Sequence, residues 1–162
     1  DCHDAIYLIE AGTPTSGVSV SARLLPTVRP HLLSQQFADL CEEELPAGPG
    51  VWEATRFCPA PDTPAGPPRR GMLGRMIAGI METALLFGIE QVTYVADAAL
   101  APMALKVGWD VRALGAPRGK GRNRIQAFVA SIDGAGLKRV REAFAISAPL
   151  TRFVPAGLAR AA

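Results

Sequence analysis

The chain has 162 residues, 49% hydrophobic and 20% charged, with a net charge of +2, which is the size of one domain with a real core and too small a basic excess for a nucleic-acid backbone binder. Its longest apolar runs, such as "IAGIMETALLFGI", are interrupted well short of a bilayer-spanning length, so no membrane span is expected. Three cysteines, Cys2, Cys41 and Cys58, with no C-x-x-C pair suit neither a disulfide framework nor a structural zinc site and fit a reducing cytoplasm.

The opening "DCHD" sets Cys, His and Asp side by side, but ligands so close in sequence rarely converge on one ion, and no metal is expected there. The chain starts with Asp1 and runs almost directly into a strand, so an N-terminal part is expected to be missing. "AIYLIEAG" and "GVSVSARLLP", separated by "TPTS", read as an antiparallel hairpin. "LLSQQFADLCEEEL" spaces Leu33, Phe37, Leu40 and Cys41 as a short amphipathic helix with Ser34 as its cap, and "PAGPG" stops it. Residues 51–58 form a strand, and "PAPDTPAGPP" a surface loop. From Arg69 to Phe87 runs the longest helix, with Met72, Met76, Ile80, Ala84 and Phe87 on one side and Gly88 as its left-handed cap. Then come a strand "QVTYVAD", a helix "ALAPMALKVG" disturbed by Pro102, strands "WDVRALGAP" and "RIQAFVASI", and a closing helix "GAGLKRVREAF" with a basic outer face. The order β-β-α-β-α-β-α-β-β-α predicts an α/β (α+β) fold in one domain, a three-layer sandwich about a mixed sheet.

"VWEATRFCPAP" places Glu53 and Arg56 in what otherwise reads as a buried strand. Side chains three apart on a strand face opposite ways unless a bulge intervenes. Either the strand from Val51 to Cys58 carries a bulge that brings the two to one side, or it is regular, with Glu53 facing a ligand and Arg56 bracing the opposite face; the second is the favoured arrangement, in which Arg56→Ala lowers stability and Glu53→Gln leaves it close to unchanged. Arg23 in "VSARLLP" is a possible partner for Glu53, since a charge beside Trp52 and Phe57 needs one. "RRGMLGRM" reads either as an anion-binding helix start or as a solvated basic turn; Gly71 and Gly74, three apart, do not fit the coenzyme A loop Q/R-x-x-G-x-G/A of acetyltransferases. His31 reads as a solvated loop histidine. No G-x-S-x-G, P-loop or Rossmann fingerprint is present, which takes support from hydrolase, kinase and dehydrogenase readings.

Taken in order, "DAIYLI", "SARLLPTVRPHLL", "VWEATRFC" and "GWDVRALGAP" resemble successive signatures of the acyl-homoserine-lactone synthases, the autoinducer synthases of bacterial quorum sensing. The R-L-x-P-T run followed by E-x-[ST]-R-F carries the resemblance most specifically, and it extends over nearly the whole chain. It implies a fold similar to the Gcn5-related N-acetyltransferases and transfer of an acyl group, from a thioester of acyl carrier protein or coenzyme A, to the amine of S-adenosylmethionine. Lactone closure then expels methylthioadenosine. S-adenosylmethionine is a substrate in this chemistry, and no cofactor is implied. Carried over, the catalytic cluster falls on Arg23, Glu53 and Arg56, and substrate binding on Asp1, Phe57, Thr93 and Tyr94, the last two lining the acyl pocket. Glu53 is the expected proton acceptor, and a backbone amide of the strand after Gln91, at a splayed sheet edge, the expected oxyanion donor. An acidic carrier protein would dock on Arg118, Lys120, Arg122, Arg124, Lys138, Arg139 and Arg141, or else on Arg69, Arg70 and Arg75. The family's own N-terminal segment, which forms much of the S-adenosylmethionine pocket, lies ahead of Asp1. The competing readings are an N-acetyltransferase using acyl-coenzyme A and an inactive binding domain of the same fold.

Overall fold

Strands β1 (Ile6–Ala11) and β2 (Val18–Pro26) form the expected antiparallel hairpin, Tyr7 opposite Arg23 and Ile9 opposite Ser21. The computed structural model describes residues 4–12, 17–61, 63, 66–98, 106–121 and 123–153. After the hairpin come a short helix α1 (Leu32–Gln36), β3 (Val51–Pro59), the long helix α2 (Pro67–Leu86) and β4 (Gln91–Asp97). The chain continues through β5 (Val111–Ala113), β6 (Arg118–Lys120), β7 (Asn123–Ser131) and α3 (Gly134–Ala143). These strands make one seven-stranded sheet in the order β1-β2-β3-β4-β7-β5, with β6 also paired to β7.

Only β3 and β4 pair in parallel, as the crossover through α2 between them requires. Their ladder is short, Val51 to Gln91, Trp52 to Val92 and Glu53 to Thr93. Past Glu53, β3 continues beside β2 alone, while β4 from Tyr94 to Asp97 continues beside β7 alone. A wedge therefore opens in the middle of the sheet, with Glu53 and Thr93 at its apex.

The sheet is covered on both sides. Helices α2 and α3 pack one face, where Val20, Ala22, Leu24, Met76, Ile80, Met81, Val92, Ala130 and Val140 are buried together. On the other face α1 and the turn after it bury Leu33 and Leu40 against Leu114, Ala127 and Val129. Burial of this apolar area, worth about 25 cal/mol per Å2, is what sets the register, since a one-residue slip would turn every inward side chain out.

Several expected elements are adjusted. Helix α2 starts at Pro67 rather than Arg69, because proline fits a first helical turn whose N–H groups have no partner in any case. Its end agrees with expectation, Gly88 adopting φ 67. Within "RRGMLGRM", a Cβ on Gly74 would fall inside the Phe144 ring, so this glycine lets the segment after α3 pack on the α2 backbone. The expected helix at the second segment is only a short turn, capped by His31 rather than Ser34. Ser34 accepts from the His31 N–H at 3.1 Å and donates to the His31 carbonyl at 2.9 Å. Strand "WDVRALGAP" shrinks to β5, β6 had no expected counterpart, and most of the helix expected over 99–108 lies outside the described residues.

Candidate active site

Glu53 is 1% exposed, and its two carboxylate oxygens accept the N–H groups of Leu32 at 3.0 Å and Leu33 at 2.6 Å. A residue on the middle strand thus caps a helix start twenty positions away in sequence, where free amides and the local dipole favour an anion. This corrects the expectation that Glu53→Gln is neutral in stability, because a carboxamide has one acceptor where two donors converge.

In-register partners on adjacent strands share a face, so Leu25, Glu53, Thr93 and Val129 form one row, and Tyr7, Arg23 and Thr55 the next. Arg23 donates through Nε to Thr55 Oγ1 at 3.0 Å. Thr93 is fully buried and its hydroxyl donates to the Trp52 carbonyl at 3.4 Å. The expected catalytic pair Arg23 and Glu53 therefore lies on one face, with Thr55 two residues on from Glu53 on that same face.

Arg56 departs from the regular strand expected for it. Register runs from Arg23 opposite Thr55 to Ser21 opposite Cys58, so Arg56 and Phe57 together oppose Ala22 in a bulge. Arg56 takes φ 52, the left-handed region, and its carbonyl accepts from the Ser21 hydroxyl at 3.4 Å. Both Arg56 and Phe57 are exposed, so Arg56 is not a buried brace on the opposite face and the expected loss of stability on truncating it has no burial behind it. Two-against-one pairing bends a strand, and the bulge lies just beyond Glu53, where pairing of β3 to β4 ends.

Thr93 and Tyr94, expected to line one pocket, face opposite sides of the sheet. Tyr94 is stacked between Trp109 at 5.9 Å and Phe128 at 5.3 Å, and burial pushes its phenol well above the ordinary tyrosine range. Asp1 lies outside the described residues. His31, expected to be solvated, is 5% exposed; Nδ1 lies 2.9 Å from the Arg29 carbonyl and Nε2 has no hydrogen-bond partner among the described residues. Among the described residues no group of three or more His, Cys, Asp or Glu is placed to hold a metal ion, and no helix is long and apolar enough to cross a membrane.

Residues 1–140 match the sequence family described as autoinducer synthase. The chain belongs to that family. Among curated relatives, an acyl-homoserine-lactone synthase of Rhizobium etli is 29% identical over 110 residues, covering 67% of this chain and 51% of that protein. One from Pseudomonas aeruginosa is 31% identical over 102 residues, covering 63% and 48%. The chain thus spans about half the length of these curated relatives. Among solved structures, MesI, a coenzyme A-dependent acyl-homoserine lactone synthase, superposes with a TM-score of 0.78 at 26% identity, covering 91% of this chain and 72% of that one. A Lactobacillus plantarum protein assigned as an N-acetyltransferase shares the fold at a TM-score of 0.54 and 11% identity, covering 82% and 73%, as the acetyltransferase-like architecture implied.

Within this autoinducer-synthase fold five of the basic residues considered for carrier docking are engaged. Arg118 pairs with Asp39 at 2.8 Å, Arg139 donates through Nε to the Gly108 carbonyl at 2.9 Å, and Arg141 lies 3.6 Å from Glu82. Lys138 makes a loose 3.9 Å pair with Glu142, and Arg75 a close one with Glu10 at 2.6 Å. Arg122 is outside the described residues. An open concavity of about 470 Å3 runs along α3, lined by Leu137, Lys138, Arg141 and Ile146, away from Glu53. We place the site at the wedge instead, where a buried carboxylate meets interrupted pairing. The features the sequence reading missed are Thr55 and the Leu32 and Leu33 amides. The first was legible in the two-residue offset from Glu53; the second needed the fold.

Proposed function

We propose that this chain carries the catalytic core of an enzyme that makes N-acyl-homoserine lactones in the cytoplasm from S-adenosylmethionine and an acyl thioester. The observation that carries the reading is the buried Glu53 at the apex of the β3–β4 wedge, with Arg23 in the adjacent row of the same face.

At neutral pH the substrate amine is an ammonium and must lose a proton before it can attack. Glu53 is the acceptor: each oxygen takes one amide and keeps a further lone-pair site. The amine nitrogen adds to the thioester carbon, and the developing oxyanion takes a β4 N–H beyond Thr93, where pairing to β3 has ended. That addition forms the C–N bond; collapse breaks the C–S bond, and the second amine proton passes to the departing thiolate, which leaves as the thiol. The substrate carboxylate then attacks the carbon next to the sulfonium on the same molecule. The C–O bond forms, the C–S bond breaks, the sulfonium charge and the carboxylate charge cancel, and methylthioadenosine leaves. Arg23 holds that carboxylate through the first step. The donor is a thioester of coenzyme A or of acyl carrier protein, and the likeness to MesI makes coenzyme A the first to test.

Mass spectrometry of extracts from cells expressing the full-length protein tests this reading. It expects an N-acyl-homoserine lactone absent from cells carrying an empty vector, and the fragment masses report the acyl chain. Extracts with no lactone, from cells with soluble protein and an ample acyl-thioester supply, overturn it.

A further inference from the structure

We infer that Thr55 is a positioning residue that fixes how the Arg23 guanidinium meets the substrate carboxylate. The inference rests on the proposed reading of the site and adds to it a residue with no reacting role of its own.

Thr55 and Arg23 are direct cross-strand partners on the Glu53 face, and Thr55 is the last β3 residue before the Arg56–Phe57 bulge. The bulge breaks the ladder immediately beyond it, so this rung is the final point at which β3 restrains Arg23 from the side. Restraint comes through the side chain: Arg23 Nε donates to Thr55 Oγ1 at 3.0 Å, and Thr55 is 9% exposed. As a β-branched residue in a strand, threonine has few χ1 choices, so its hydroxyl is held in place.

The geometry of arginine gives the bond its consequence. A guanidinium can take a carboxylate along either of two edges, one made by Nε and one Nη, the other by both Nη groups. Occupying Nε removes the first and fixes the plane of the group. With Nε taken by Thr55, the edge that Arg23 offers a carboxylate is the Nη edge, in a plane that the Nε bond helps to fix. A valine at position 55 has nearly the same volume and the same β-branching but no acceptor, and it removes the partner of the part-buried Nε N–H.

The test uses the full-length enzyme as parent, Thr55→Val and Thr55→Ser. Steady-state kinetics with saturating acyl-coenzyme A are measured beside calorimetric titration of S-adenosylmethionine, and thermal melts set an assay temperature at which all three are folded. The expected result is that Thr55→Val raises KM and Kd for S-adenosylmethionine about tenfold, the scale of one hydrogen bond to a charged group, with kcat and the acyl-donor KM within about twofold. Thr55→Ser restores the parent values, since it restores the acceptor. A merely structural role would lower both substrates' parameters in step with the melting temperature. Equal S-adenosylmethionine affinity in Thr55→Val and parent overturns the inference while leaving the reading of the reaction intact. A parent that binds S-adenosylmethionine but makes no lactone overturns the reading of the reaction, and the titration still decides the role of Thr55.

Discussion

Replacing Glu53 by glutamine changes one atom, and its cost follows from the two amides the side chain serves. The Leu32 and Leu33 N–H groups lie 3.0 and 2.6 Å from separate carboxylate oxygens, in a site 1% exposed, so water cannot take over for either. Whichever way the carboxamide is turned, its oxygen accepts one amide and its NH2 faces the other, donor against donor. Loss of one hydrogen bond to a charged group costs about 1.5–3 kcal/mol. Loss of the negative charge at the helix start adds about 0.3–1 kcal/mol. The sum is about 2–4 kcal/mol, which for a chain of this size lowers Tm by roughly 5–15 °C. Urea unfolding of the full-length parent and variant, followed by circular dichroism, reads this as a lower midpoint at unchanged m-value. Hydrogen exchange should show lost protection at the amides of Leu32 and Leu33 ahead of the rest of the sheet. A variant within about 0.5 kcal/mol of its parent would refute the claim that Glu53 holds α1 in place.

Gly74→Ala should cost about 1–3 kcal/mol by driving a methyl into the Phe144 ring, and Phe144→Leu in the same background should recover part of it in thermal melts. At Arg56, φ 52 reverses the usual strand preference, so Arg56→Gly should be more stable than Arg56→Ala by about 1 kcal/mol in urea titrations; the opposite order removes the left-handed bulge from the account. Burial of Tyr94 raises its pKa in the folded state above the ordinary tyrosine value of about 10, so the stability linked to its proton is complete below that pH and falls as pH rises beyond it. Alkaline titration of stability should therefore show a steeper decline for the parent than for Tyr94→Phe.

Much of the fold was legible because its local signals agree. Alternating apolar residues in "AIYLIEAG" and "GVSVSARLLP" specify the hairpin, and the long apolar helix ending at Gly88 specifies α2 and hence the parallel crossover. The bulge was one of two arrangements open for residues 51–58 and not the favoured one, since Arg56 is neither glycine nor asparagine and no local preference marks it for a positive φ. Nor was the cap, because the Glu53 carboxylate and the Leu32 and Leu33 amides meet only once β2, β3 and α1 are packed. The motif grouped Arg23, Glu53 and Arg56, and of these Arg23 and Glu53 lie on one face of the sheet, while the adjacent pair Thr93 and Tyr94 was joined by sequence and is divided by the pleat.

The most direct test of the central claim is a joint measurement of products made by the full-length protein from S-adenosylmethionine and an acyl-coenzyme A. Methylthioadenosine and acyl-homoserine lactone should appear together in equal amounts, and Arg23→Met should lower both in parallel while the protein stays folded. An N-acylated product without methylthioadenosine, or full activity in Arg23→Met, would contradict the account.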